Sequence, residues 1–183
     1  MKNWKILKTG VLLFGMVILG SCNKEEDKVC LNGGTNNSGT CECKTGYTGS
    51  DCGTEKTPVS MTVTSIKLNK HPNDDGGFYW DPFSGMPDIF LSINTGTTAN
   101  NSPYTSTSEE VQDAHTPTYT VNALFEYINE NYSIGLWDYD TADPNDYMGG
   151  INFKPSDYKS GFPSTINLKS GSIDMTLNVK WNF

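Results

Sequence analysis

Tyr132-Ser-Ile-Gly-Leu-Trp137-Asp138-Tyr139-Asp140 is followed, after five residues, by Asp146-Tyr147-Met148-Gly149. The first half is an apolar run of strand length. Side chains alternate along an extended chain, so the Asp-x-Asp pair leaving that run puts two carboxylates on one side. Asp146 then stands where it can close the loop over whatever those carboxylates hold. A second acidic group lies upstream, with Asp74, Asp75, Asp81 and Asp88. Residues 57–183 carry fifteen Asp and Glu, and eight of them fall in these two loops, the later one holding Asp138, Asp140, Asp143 and Asp146. Like charges massed at loop tips cost free energy unless a cation or solvent relieves them. Calcium takes six to eight oxygens from flexible, carboxylate-rich loops.

The flanking sequence reads as strands. Met61–Leu68, Thr165–Leu168 and Ile173–Trp181 alternate apolar and polar residues, as does Ile151-Asn-Phe153, while Ile89–Ile93 is an apolar run. Short strands separated by Gly, Pro, Asn and Asp turns predict an all-β antiparallel sandwich over residues 60–183. Residues 96–117 read as a long polar loop, and Val121–Asn129 is the one candidate helix.

This region resembles a C2 domain, a family of calcium-dependent membrane-binding β-sandwiches. The third calcium loop of that family has the form Asp-aromatic-Asp-x5-Asp followed by a Gly, as Asp138, Tyr139, Asp140, Asp146 and Gly149 do here. Its first calcium loop carries two Asp, the second just before a strand, and Pro87-Asp88-Ile89-Phe-Leu-Ser-Ile93 matches that strand. The resemblance therefore implies calcium as cofactor and Asp81, Asp88, Asp138, Asp140 and Asp146 as ligands. An alternative register uses Asp75 and Asp81. Apolar tips beside the ion insert into lipid in membrane-binding members, which points to Phe78, Tyr79, Phe83, Met86, Tyr147 and Met148 as membrane or partner contacts. Trp80 and Tyr139 fit either that role or the core.

Four cysteines, Cys30, Cys41, Cys43 and Cys52, cluster upstream, and none follows Cys52. In an exported chain such a set reads as a disulfide framework, and four cysteines allow three pairings. A zinc site is the rival, disfavoured by the spacing and by the absence of histidine in the segment. Cys41-Glu-Cys43-Lys-Thr-Gly46-Tyr47-Thr-Gly49-Ser-Asp-Cys52 resembles the C-terminal half of an epidermal-growth-factor-like (EGF-like) domain, here over residues 28–53. The family's first and third cysteines, which bond each other, are missing. The resemblance implies the pairs Cys30–Cys41 and Cys43–Cys52, and a spacer or docking role. Residues 54–59 read as a linker.

Residues 1–21 carry Lys2, Lys5 and Lys8 before an apolar run from Val11 to Leu19. That run is too short for a permanent span and has the flanks of a cleaved export signal. Leu19-Gly20-Ser21-Cys22 resembles the lipobox of bacterial lipoproteins, which implies acylation of Cys22. Residues 22–29 form a polar tether. Lys24-Glu25-Glu26-Asp27 resembles the surface-export signal of Bacteroidota lipoproteins, so the expected location is the outer membrane, lipid-anchored and facing outward.

The chain has 13 Lys and Arg, all of them lysine, against 21 Asp and Glu. Removing the three signal lysines leaves 10 minus 21, a mature charge of −11. Such a chain has no electrostatic footprint for nucleic acid. The expectation is a non-enzymatic, surface-displayed module that binds a phospholipid, glycan or protein with calcium. A calcium-dependent hydrolase competes weakly, since His71 and His115 lie in no recognisable nucleophile motif. A structural subunit with degenerate calcium loops is the third reading.

Overall fold

The computed structural model describes residues 28–81, 86–100, 106–112, 114–142 and 144–183. The signal segment, Cys22, Phe83 and Asp143 lie outside the described residues.

The small module consists of two short hairpins. Strand β1 (Thr35–Asn37) pairs with β2 (Thr40–Glu42), and β3 (Tyr47–Thr48) pairs with β4 (Thr54–Glu55). Disulfides Cys30–Cys41 and Cys43–Cys52 close it. So short a segment cannot bury a stabilising apolar core, and the cross-links take that role. Its backbone pairing runs to Glu55, past the expected boundary at residue 53.

The rest of the chain is the expected antiparallel sandwich. Strands β5 (Ser60–Lys70), β6 (Ile89–Thr95), β7 (Ser106–Thr107), β8 (Thr118–Phe125), β9 (Tyr132–Asp138), β10 (Asp146–Phe153), β11 (Thr165–Ser170) and β12 (Ile173–Asn182) form two four-stranded sheets. One has the order β10-β9-β6-β7 and the other β11-β12-β5-β8. A 3-10 turn, Pro155–Tyr158, follows β10.

Alternation explains the second sheet. Ile173, Met175, Leu177, Val179 and Trp181 of β12 point into the core, with polar residues between them. In β5 the inward residues are Met61 and Val63, then Ile66 and Leu68, so the period of two slips by one residue. Register shifts against both neighbours absorb that slip as a bulge near Thr64.

Strands β6 and β9 are buried on both faces, which matches their nearly unbroken apolar runs. Ile89, Leu91, Ile134 and Leu136 fill the core. On the outer face, Trp137 Nε1–H donates to Ser92 Oγ at 2.9 Å, and Ser92 Oγ donates to the Ala99 carbonyl at 3.2 Å. The chain after β6 thus folds back over its own sheet.

Two expectations fail here. Val121–Asn129 is not helical: its first half belongs to β8, where Tyr119, Ala123 and Phe125 turn inward with strand period and pair with β5. The polar stretch 96–117 is not all loop either. Ser106–Thr107 adds β7 to the sheet edge, and Val111 bridges to Ile89 with backbone bonds of 2.9 Å in both directions. Polar composition hid β7, because an edge strand needs backbone groups more than apolar side chains.

The module sits at one end of the sandwich. The Val59 N–H donates to the Asn182 carbonyl at 2.8 Å, where β5 begins and β12 ends. Tyr47 meets Phe162 edge-on, with centroids 5.4 Å apart, and Phe162 meets Phe183 at 4.9 Å. Gly46 has φ +94, and a Cβ there would strike the Phe162 ring. The glycine of the EGF-like pattern therefore lets the module approach the sandwich closely.

Candidate metal centre at the acidic end

Asp138 is the last residue of β9, in the middle of its sheet, opposite Ile89 on one side and Asp146 on the other. It follows Ile134 and Leu136 on the inward face, so its carboxylate points between the sheets rather than into solvent. The side chain is fully buried. Asp140, two residues on, keeps the same side. Its N–H donates to Asn145 Oδ1 at 3.1 Å, which curls the loop back on itself.

Asp81 arrives from the other loop. Trp80, beside it, is buried with Nε1–H donating to the Pro72 carbonyl at 3.1 Å, so the loop is pinned to the chain just beyond β5. Trp80 is thus a core residue, whereas Tyr139 remains partly exposed.

Asp81, Asp138 and Asp140 each offer a carboxylate oxygen, and these oxygens lie within 4.8 Å of one another. Two oxygens each about 2.4 Å from a shared calcium ion sit at most about 4.8 Å apart, so the spacing fits that cation. A donor set of oxygens alone also selects a hard cation. Asp81 Oδ2 and Asp138 Oδ2 are buried and have no hydrogen-bond partner among the described residues. Orphaned buried carboxylate oxygens are costly, and they mark a place where a cation would be bound.

The electrostatics agree. Burial pushes the Asp138 carboxyl up to about 6, and the charges of Asp81, Asp140 and Asp88 push in the same direction. The hydrogen bond from the Asp88 N–H, at 2.7 Å to Asp138 Oδ1, opposes this rise. Calcium at this point would supply the positive charge that the buried carboxylate lacks.

Asp88 lies close enough to act electrostatically on Asp138 and is half-buried, but it is not in the three-carboxylate group. Asp146 is exposed and opens β10 directly opposite Asp138 instead of lying in the loop. Asp75 belongs to a separate tight turn, bridged to Phe78 and exposed.

The expected contact residues divide. Phe78 and Tyr79 are 80% and 73% exposed, large apolar rings in water beside the Asp81 loop. Tyr147 is about two-fifths exposed, and its ring packs 5.0 Å from that of Trp137. Met86 is half-buried. Met148 is no surface contact: a bulge between Tyr147 and Gly149 leaves it unpaired in β10 and turns it into the core. Gly149 has φ +130, and a Cβ there would press on Ile173 at 2.9 Å, which is why a glycine follows the bulge.

No protein-family model matches this sequence, and no curated protein does. Among solved structures, a C2 domain of plant extended synaptotagmin 1, the domain designated A, is similar with TM-score 0.50 and 11% identity, covering 69% of this chain and 97% of that one. A further solved C2 domain gives 0.45 at 15% identity, covering 68% and 98%. The pair of C2 domains of extended synaptotagmin 2, solved calcium-bound, gives 0.47 at 15%, covering 68% and 46%. The first of these likenesses concerns the fold alone. The chain is an all-β protein with a C2-like antiparallel sandwich behind a small disulfide-rich module.

Proposed function

We propose that the protein is an exported lipoprotein, acylated on Cys22 and displayed on the outer surface, whose sandwich binds calcium at its acidic end to engage a phospholipid membrane. The observation that carries the calcium reading is the approach of Asp81, Asp138 and Asp140, with two buried oxygens lacking partners among the described residues. Asp88 and Asp146, water and backbone carbonyls would complete the coordination that three carboxylates leave unfilled. Phe78 and Tyr79 favour a lipid surface over a glycan or protein, because exposed rings flanking a cation site can enter the interface while the ion offsets the repulsion between an acidic protein and anionic headgroups. We read the sandwich as a binding module, not an enzyme.

Titration calorimetry with calcium in the ~10⁻⁴–10⁻³ M range common for extracellular modules tests the site. Co-sedimentation with phosphatidylserine vesicles, with calcium and with chelator, tests the partner. Absence of heat at millimolar calcium overturns the metal site. Calcium binding without vesicle binding transfers the partner to the glycan or protein class. Acyl labelling of the wild type, and its loss in Cys22→Ala, tests the anchor.

A further inference from the structure

We propose that the calcium-binding end works in trans, on a surface other than the membrane that anchors the protein. This rests on the reading of Cys22 as the anchor, and its geometry comes from the strand directions.

Strand β5 leaves the module at Ser60 and ends at Lys70. Strand β9 runs the same way. Its first residue, Tyr132, packs 4.5 Å from Phe125, the partner of Met61, and its last residue is Asp138. At the far end, Tyr119, opposite Ile66, donates its hydroxyl to the Ile89 carbonyl, and Ile89 is opposite Asp138. Trp80 ties the Asp81 loop to Pro72, just past Lys70. The module and the acidic group therefore occupy opposite ends of the sandwich. Phe78 and Tyr79 lie at the acidic end.

The eleven residues of β5 separate the two ends by roughly 33 Å at about 3.3 Å per residue. The contact of the Tyr47 ring with Phe162, and the hydrogen bond from the Val59 N–H to the Asn182 carbonyl at 2.8 Å, hold the module at its end. From Cys22 to Lys28 the chain reaches at most roughly 22 Å. For the acidic loops to enter the anchoring bilayer end-on, that tether would have to run back along the whole sandwich. Its roughly 22 Å would bring it level with Asp138, roughly 20 Å along β9 from the level of Met61, but it falls short of the roughly 33 Å to the end of β5, beyond which the Phe78–Tyr79 loop begins. The mature charge further opposes lying flat on an anionic leaflet.

The test measures height above the bilayer. Full-length protein carries a donor dye at Asn73→Cys, exposed at the acidic end, or at Lys180→Cys, exposed near the module. It is anchored in a single supported phosphatidylcholine–phosphatidylserine bilayer containing an acceptor lipid, so that no second labelled membrane is present. Strong quenching at position 180 and weak quenching at position 73, with and without millimolar calcium, is the expected result. Equal or stronger quenching at position 73 in either condition overturns the proposal. If the protein proves not to be naturally acylated, which defeats the anchor reading separately, a histidine tag in place of residues 1–22, held by a nickel-chelating lipid, attaches the chain near the same point and leaves the dye cysteine as the thiol to be labelled. Calcium binding is not needed for the height to be read, so failure of the metal site is likewise distinguishable.

Discussion

Asp138 Oδ1 accepts a hydrogen bond from the Asp88 backbone N–H at 2.7 Å, while its other oxygen is buried with no partner among the described residues. Tyr139 N–H returns a bond to the Asp88 carbonyl at 2.8 Å. Two acidic loops are thereby clasped through backbone groups, which fixes where the Asp138 carboxylate points. The clasp holds one oxygen and leaves the other to the space shared with Asp81 and Asp140.

That arrangement makes Asp138→Asn informative. An asparagine oxygen can keep the bond from Asp88, and the amide can donate toward the neighbouring carboxylates. The variant's calcium-free form should melt several degrees higher than the wild type's, because a repulsive buried charge is gone. The calcium-induced shift should vanish. In the wild type, calcium at ten times its dissociation constant contributes roughly 1.4 kcal/mol, a shift of several degrees. Differential scanning calorimetry of both proteins, with and without calcium, reads both effects. A wild-type-sized calcium shift in the variant would refute the assignment of Asp138 as a ligand.

The raised carboxyl also fixes a pH dependence. In the calcium-free protein the folded state of Asp138 titrates near about 6, above the ordinary Asp value of 3.8. Between those values the folded state holds more protons than the unfolded one, so stability rises as pH falls from about 7 toward about 4. The full change is at most about 3 kcal/mol, and water reaching the loop end reduces it. Asp174 has the opposite sign: hydrogen bonds from Lys169 and Asn69 hold its carboxyl low, and its contribution is lost only below the ordinary Asp range. With calcium present the Asp138 trend should invert, since protons compete with the cation for the same oxygens. Melting curves at about pH 4, 5, 6 and 7 check this, and a flat calcium-free profile would count against a buried, repelled Asp138.

Much of this was legible in the sequence, for identifiable reasons. The Asp-x-Asp step after an apolar run carries its own geometry, because strand period puts Asp138 and Asp140 on one side. The cysteine spacing carried the module. The position of Met148 was not legible, since the bulge that turns it inward left one mark, Gly149, which reads equally as part of the acidic-loop pattern. The edge strand at Ser106–Thr107 was hidden by its polar residues. Asp146 has loop spacing from Asp140, yet it enters β10, because cross-strand pairing decided its place and the pattern of acids did not. The contact between Tyr47 and Phe162, far apart in the chain, left only one trace: a glycine at position 46.

Phe162 has φ +49, a conformation that costs a bulky residue energy, and its ring lies between Tyr47, Trp181 and Phe183. Phe162→Ala should free the module from the sandwich without unfolding either, because each has its own cross-links or core. NMR relaxation should then show amides of 28–55 reorienting faster than those of 60–183, where the wild type shows one common rate. Phe162→Gly should free the module equally with a smaller loss of sandwich stability, since glycine tolerates that backbone conformation. A common rate retained in both variants would place the rigidity elsewhere in the junction.

The acids around the three clustered carboxylates differ in how they can reach a cation bound there. Asp75 is committed to its own turn with Phe78, where Asp74 Oδ1 also accepts from the Gly77 N–H at 2.8 Å. Asp75→Asn should therefore leave calcium affinity within about twofold, a change below ~0.5 kcal/mol. Asp88 is close enough to raise the Asp138 carboxyl and sits on the clasp between the loops. Asp88→Asn should weaken binding about tenfold or more, near ~1.4 kcal/mol, by removing a charge that favours the cation. Asp146 is exposed and faces Asp138 across the strand pair, so it can reach the ion only by bending its side chain over the loop. Its replacement by Asn should fall between the other two. Calorimetric titration of the three variants orders them. A loss at Asp75 exceeding that at Asp88 would shift the first loop to the alternative register, with Asp75 and Asp81 as its ligands.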